Sequence, residues 1–175
     1  MTIIIDDAGS GDLLFGVVVG AYRSESHEFK YDVVDVRYFQ PPLFRQKEYL
    51  NQVSKTIFKL LEKLDFKEDE SIFICTGSVF DNAVEDLKKK YGEDRIQKVK
   101  VIGEAQCFTE MAYLDEIRNL GYEPLLEREE KRAKSFHHMM RWLERNPDKI
   151  TYAKTGWPRL IRYRLFRSEA SKFTA

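Results

Sequence analysis

The sequence has few cysteines, no net charge and no long apolar run. Two of its 175 residues are cysteines, too few for a disulfide framework, and no Cys/His spacing fits a zinc site. The 29 Lys and Arg balance 29 Asp and Glu, which excludes a protein held to nucleic acid by bulk positive charge but not one with a local basic patch. No apolar run approaches the roughly 20 residues that cross a bilayer. Residues 1–7 also lack the charged region and cleavage site of a signal peptide, so we expect a cytoplasmic protein with no membrane partner.

The chain also lacks internal repeats, low-complexity tracts and linkers rich in Gly, Ser or Pro. Hydrophobic residues make up 43% of it, which is enough for one buried core. We therefore expect a single domain over residues 1–175, ending in a basic and aromatic tail at 151–175.

The spacing of apolar residues predicts three strands first and then alternating helices and strands. The first three strands are predicted at 3–5, 13–22 and 29–38, with either a bulge or burial on both sides at Val33–Val34. Beyond them, three- and four-residue spacing predicts helices, and short apolar runs predict strands. The predicted helices lie at 49–64, 79–91, 109–119 and 128–143, and the later strands at 71–76 and 95–102.

These elements predict an α/β fold. Strands joined by short turns form an antiparallel meander, whereas strands joined through helices add in parallel by right-handed crossovers. We expect a mixed five-stranded sheet in the order 3-2-1-4-5, with the first strand in the centre and helices on its faces.

The opening hairpin, IIIDDAGSGDLLFGVVVGA, combines two adjacent acids, two spaced glycines and a valine-rich strand. It resembles the first hairpin of the type 2 ribonuclease H enzymes. Asp6 matches their first acid, Asp7 stands where they usually have Glu, and Gly9 and Gly11 match their glycines. Elsewhere the chain departs from these enzymes: Ser10 replaces the basic residue between the glycines, and the fourth strand ends in Cys-Thr-Gly instead of Asp-Gly. The resemblance implies a ribonuclease H-like fold, which has the strand order predicted above.

The resemblance also implies a site for Mg²⁺ or Mn²⁺, with one ion activating water and another stabilising the leaving oxygen. Hard cations of this kind take oxygen ligands, so Asp6 and Asp7 are the first predicted ligands and catalytic residues. In a regular strand Asp7 would point to the opposite face from Asp6, unless the glycine turn twists it back. The backbone of Gly9, Ser10 and Gly11 is predicted to approach a substrate phosphate or ribose hydroxyl, because glycine allows close contact.

Two further acids are predicted to complete the metal and catalytic site. Asp81 lies in the first turn of the helix after the fourth strand, with Asn82 as the weaker alternative; the helix dipole alone would also favour an acid there. Glu104 follows the fifth strand at the carboxyl edge of the sheet, where α/β proteins place ligands. Glu110, near the start of the next helix, is the alternative to Glu104.

The tail at 152–172 has six basic residues against one acid, and aromatic residues are interleaved with them. This is the composition of a surface that binds phosphates and stacks on bases, so we predict that Arg159, Arg162 and Arg164 contact nucleic acid. The same pattern also fits a half-buried strand packed on the protein's own sheet, because arginine and apolar residues alternate from Arg162 onwards.

Two functions are compatible with these features. The first is a divalent-metal-dependent nuclease of the ribonuclease H-like type, acting on RNA–DNA hybrid or structured nucleic acid, and the intact acidic hairpin favours it. The second is a non-catalytic module that binds nucleic acid or protein and has a degenerate metal site. The missing acid on the fourth strand favours this alternative, so the sequence leaves open whether the protein is an enzyme.

Overall fold

Five strands form one mixed sheet in the computed structural model, which describes residues 1–167. The central strand β1 (Thr2–Ala8) pairs antiparallel with β2 (Val17–Arg23), which pairs antiparallel with β3 (Glu28–Val34). On its other side β1 pairs in parallel with β4 (Ser71–Cys75), which pairs in parallel with β5 (Ile96–Val99). The order β3-β2-β1-β4-β5 confirms the predicted α/β fold class and strand order.

Helices cover both faces of this sheet. They are α1 (Glu48–Lys63), α2 (Asp81–Tyr91), α3 (Glu104–Asn119) and α4 (Arg132–Arg145). The apolar faces of α1 and α2 share one buried core with alternate residues of β1, whereas α3 and α4 share a second core on the other face. Among residues 1–167, no helix is long and apolar enough to cross a membrane.

The second strand starts later than predicted, and the third ends at Val34 instead of residue 38. The strand predicted at 13–22 starts only at Val17, because Phe15 has a φ of 69°, outside the extended region, and Leu14 forms an isolated bridge with Ala153. The predicted bulge at Val33–Val34 is wrong, since the pairing of β2 with β3 is continuous. The other interpretation of that pattern is confirmed: Val33 and Val34 pack into the cores on opposite faces of the sheet.

The last two helices also begin elsewhere than predicted. Helix α3 starts at Glu104 instead of residue 109, because Gly103, at φ 81°, turns the chain four residues after the end of the short strand β5. Helix α4 starts at Arg132 instead of residue 128, since residues 125–131 form turns in which the Arg128 amide donates to the Leu125 carbonyl at 3.2 Å. These turns bring the Arg128 side chain into the interior.

The tail does not form the half-buried strand that was one of its two interpretations. Short 3₁₀ helices occupy Pro147–Tyr152 and Pro158–Arg162, and the side chains of Leu160 and Phe166 are buried in the core beside α3 and α4. The tail therefore packs on its own domain over the part that is described. Residues 168–175, which include the predicted basic Lys172, lie outside the described residues.

Candidate functional site

Three possible metal ligands meet at the carboxyl end of the central strands. The carboxylate oxygens of Asp6 and Asp7 and the Sγ of Cys75 all lie within 4.8 Å of one another. The strand register explains this: the last parallel pair is Ile5 with Ile74, so Asp6 and Cys75 come next on the two neighbouring strands. The Asp7 carboxylate thus approaches that of Asp6, although the two residues are neighbours in β1.

The Asp7 side chain has room beside β4 because that strand ends before β1 does. Strand β1 continues through Ala8, whereas β4 stops at Cys75. Gly77 follows that end, and a Cβ added to it would lie 3.5 Å from the Asp7 Oδ1. Asp7 therefore lies beside a residue without a side chain, where its carboxylate can approach that of Asp6.

Burial raises the pKa of both carboxyls. For Asp6, which is 6% exposed, Cys75 and the Asp7 amide oppose the rise, and Glu129 adds to it. For Asp7 the pKa rises to about 6 by burial, against a hydrogen bond from Ser10, while Asp6 raises it further. Two buried carboxyls side by side thus resist ionisation, and a bound cation would relieve this.

Asp6 and Asp7 line a cavity of about 200 Å³. The predicted substrate-binding residues Gly9, Ser10 and Gly11 line the same cavity, so the structure brings them together with Asp6 and Asp7. The other residues lining it are Ala8, Asp12, Cys75, Val101, Gln106, Glu110, Arg128, Glu129 and Arg132.

A second ionic cluster, which the sequence did not reveal, forms the far wall of the cavity. Arg128 is buried and makes ion pairs with Asp12 and Glu110, and Glu129 lies 3.7 Å from its guanidinium. Burial raises the pKa of Glu110 to about 7; Arg128 opposes the rise, whereas Glu129 and Asp12 add to it. Glu110, the alternative to Glu104, is thus the acid of that pair that lines the cavity.

The two glycines of the hairpin permit close packing of the loop on α3 and α4. Gly9 has a φ of 87°, and a Cβ there would lie 2.3 Å from the ring of Tyr113. A Cβ on Gly11 would lie 2.8 Å from the guanidinium of Arg132. A larger residue at Gly9 would push the loop away from buried Tyr113, whereas at Gly11 the flexible Arg132 side chain could move aside.

The other two predicted acids lie outside this cluster and cavity. Asp81 is exposed on α2 and accepts a 2.8 Å hydrogen bond from Lys98, while its alternative Asn82 donates to Asn51. Glu104 accepts a 2.5 Å hydrogen bond from the Tyr22 hydroxyl at the start of α3. Both acids follow strand ends as predicted, but their side chains pair with neighbours instead of converging on Asp6.

The predicted arginines of the tail also lie away from the cavity. Arg159 stacks over the ring of Trp157, with 4.8 Å between its guanidinium carbon and the ring centroid. The carbonyl of Arg162 accepts a hydrogen bond from Arg167, and the Arg164 side chain is exposed. Their exposure leaves a basic and aromatic surface there, separate from the acidic cluster.

The donor set suits one divalent cation. Two carboxylates and a thiol converge at a partly buried point. Among residues 1–167, no Lys, Arg or His forms an ion pair with Asp6 or Asp7, although the charges of Lys154 and Arg132 lower the pKa of Asp7. The acids predicted to complete a site for two ions, Asp81 and Glu104, lie elsewhere, and Glu110, the alternative to Glu104, is paired with Arg128. The residues present therefore fit a single metal ion better than two.

Comparison of the sequence with models of known protein families gives no matching family, and no curated protein matches it at a significant level.

Proposed function

We propose that the chain is a divalent-metal-dependent nuclease with a ribonuclease H-like fold, acting on RNA–DNA hybrid or structured nucleic acid in the cytoplasm. The observation that carries this proposal is the convergence of Asp6 and Asp7 with Cys75 in a polar cavity. The cavity lies at the carboxyl edge of the parallel strands, the position where open α/β sheets bind ligands.

In this proposal Asp6 and Asp7 hold the cation. A divalent ion supplies an activated water and neutralises charge that develops on a phosphodiester. The loop at Gly9–Gly11 lines the same cavity, and its glycines let a phosphate approach the backbone amides. The chain thus provides a cation site and a backbone surface for a phosphate next to each other.

Arg132 would bind the phosphate group from the side of the cavity formed by α4. It lies against Gly11 at the first turn of α4, is exposed, and forms no ion pair among residues 1–167. By contrast, Arg128 is already neutralised by surrounding carboxylates. Arg132 is therefore the arginine of this cavity that is available to a polyanionic substrate.

Glu110 would hold or accept a proton within the cavity. Its pKa of about 7 allows the carboxyl to exist in both protonation states near neutral pH. General acids and bases work best when their pKa lies near the working pH. Glu110 is consequently the carboxyl in this cavity suited to proton transfer.

The proposal is tested by a nuclease assay with Mg²⁺, Mn²⁺ and Zn²⁺, each in turn, on hybrid, duplex and single-stranded substrates. Cleavage by the wild type should fall at least about 100-fold in Asp6→Asn, since losing a residue that merely orients a metal ligand already costs about 10–100-fold. Asp81→Asn is the matched control and should keep wild-type activity. An inactive wild type, or equal effects of the two substitutions, would contradict the proposal.

A second function is favoured by one specific observation. The β4 strand ends in Cys75 where an acid was expected, and Arg128 already neutralises Asp12 and Glu110, so two carboxylates remain for a cation. This fits a module that binds nucleic acid or protein without cleaving it. Binding of nucleic acid that is equal in wild type and Asp6→Asn, without cleavage by either, would favour this alternative.

A further inference from the structure

We propose that Asp6, Asp7 and Cys75 bind a single divalent cation that accepts thiolate, of the zinc and cobalt class, in preference to Mg²⁺. The inference rests on the proposed function in placing a metal in this cavity, and it identifies the chemical class of the metal. Cys75 becomes a ligand in place of the acid that was expected at the end of the fourth strand.

The first argument is geometric. Zinc lies about 2.3 Å from sulfur and about 2.0–2.2 Å from carboxylate oxygen, so the ligand atoms of one ion lie roughly 3–4 Å apart. The three donors are already within 4.8 Å of one another, on two adjacent strands whose register holds them together. Small side-chain rotations would close the site without moving the backbone.

The second argument is independent and comes from buried charge. Three acids are buried among residues 1–167, and two of them have an arginine: Asp12 pairs with Arg128, and Glu70 with Arg23 at 2.7 Å. Asp6 is 6% exposed and forms no such pair; the donors that face it are the Cys75 thiol and the Asp7 amide, within the cluster itself. An unpaired buried carboxylate is costly, and a cation in the cavity would supply the missing partner.

The third argument is the chemistry of the donors. Mg²⁺ takes an octahedral shell of oxygen ligands, whereas a thiolate favours softer ions such as Zn²⁺. Three protein ligands also leave one position of a tetrahedral zinc ion open, as in catalytic zinc sites. That position would face the cavity lined by Gly9–Gly11. The absence of a Cys/His zinc motif in the sequence does not bear on this site, because its ligands come together only through the pairing of β1 with β4.

The test is an optical titration of the protein with Co²⁺, whose bond to thiolate gives a charge-transfer absorption band in the near ultraviolet. We expect the band in the wild type and in Cys107→Ser, which removes the other, exposed cysteine. We expect its loss in Cys75→Ser and in Asp6→Asn. Zn²⁺ should displace Co²⁺ at comparable concentration, and a large excess of Mg²⁺ should not. Absence of the band in the wild type, its survival in Cys75→Ser, or displacement by Mg²⁺ as readily as by Zn²⁺ would overturn the inference.

Cys75→Asp provides a second variant that converts the site to oxygen ligands alone. It should lose the cobalt–thiolate band and acquire thermal stabilisation by Mg²⁺ that the wild type lacks. If wild type and variant were equally stabilised by Mg²⁺, Cys75 would not determine the choice of metal and the inference would fail.

These outcomes separate the inference from the proposed function. A cobalt band with no cleavage of any substrate by the zinc-loaded protein would support the metal site and contradict the nuclease. Cleavage with Mg²⁺ that is unchanged in Cys75→Ser would support the nuclease and overturn the thiolate site.

Discussion

Lys154 donates a 2.8 Å hydrogen bond from its Nζ to the main-chain carbonyl of Asp12, although 142 residues separate the two in sequence. The same Nζ donates to the carbonyls of Leu14 at 3.3 Å and Phe15 at 2.6 Å, and Lys154 is fully buried. Burial lowers its pKa to about 7, while the carboxylates of Asp12 and Asp7 oppose this. One lysine near the C-terminus thus holds the loop that follows the glycines of the site.

Lys154→Met should therefore loosen that loop. Methionine fits a similar volume but leaves the carbonyls of Asp12 and Phe15 without this donor, whereas that of Leu14 keeps the Tyr113 hydroxyl. Each buried acceptor without a partner costs about 1–3 kcal/mol. We expect a net loss of stability on the order of 1–3 kcal/mol, because removing the buried amine also relieves a desolvation cost. Urea denaturation measures it. Lys134→Met, at an exposed lysine, is the control and should unfold as the wild type does.

A divalent cation should stabilise the folded protein through Asp6. A cation that binds the native cluster and not the unfolded chain adds roughly 2.7 kcal/mol at about 100 times its dissociation constant, which raises the melting temperature by several degrees. Asp6→Asn should abolish this shift and also raise the melting temperature of the metal-free protein, because it removes a buried carboxyl beside Asp7.

Differential scanning calorimetry with and without Zn²⁺, Mn²⁺ and Mg²⁺ measures this effect. Asp81→Asn should keep the full shift, since Asp81 is exposed and paired with Lys98. A melting temperature that does not respond to any of these ions would rule out a metal site and leave the non-catalytic module.

The strand order could be predicted from sequence because it follows from local signals. Short turns define the meander, and the intervening helices impose parallel crossovers. Asp6 and Asp7 were recognisable for the same reason, as neighbours in one hairpin. The position of Cys75 beside Asp6 could not be predicted in this way, because it depends on the Ile5–Ile74 register, which no local pattern contains.

The remaining site residues depended on side-chain direction, which the spacing of elements does not give. Asp81 and Glu104 were placed correctly after strand ends, yet Lys98 and Tyr22 pair with their carboxylates outside the cavity. Lys154 was counted among the basic residues of the tail, and only the tertiary packing reveals that it is buried. Glu110 was the predicted alternative to Glu104, and it is the one of these two acids that lines the cavity.

Arg132→Ala should weaken the binding of nucleic acid equally for different sequences. A lysine or arginine that contacts a phosphate contributes about one unit to the slope of log affinity against log salt concentration, and the variant should lose about that much. Fluorescence anisotropy with a labelled RNA–DNA hybrid measures the slope. Divalent metal is left out of this experiment so that the hybrid is not cleaved. Lys134→Ala is the control, since Lys134 is exposed nearby but lies 3.6 Å from Glu127. Equal slopes for Arg132→Ala and wild type would exclude a phosphate contact.

Glu110 should make the stability of the fold depend on pH in a defined direction. Its pKa rises from 4.5 to about 7 on folding, chiefly by burial, so between these values the folded protein holds a proton that the unfolded chain has released. The contribution of Glu110 is therefore fully favourable below about pH 4.5 and is lost as the pH rises through about 7. Glu110→Gln, which cannot ionise, should gain stability relative to the wild type across this window.

Urea midpoints of the two proteins, measured at several pH values between about 4.5 and 7, give this difference directly. Asp7, whose pKa of about 6 contributes with the same sign, is present in both proteins, so its effect largely cancels. Glu127 provides a control whose pKa shifts the other way, because Lys131 lowers it. Glu127→Gln should differ from the wild type only slightly and by a nearly constant amount over this window, since that side chain is exposed and its lowered pKa places its titration below about pH 4.5. A constant difference between Glu110→Gln and wild type over the whole window would mean that Arg128 keeps Glu110 ionised throughout, and Glu110 would then not serve in proton transfer.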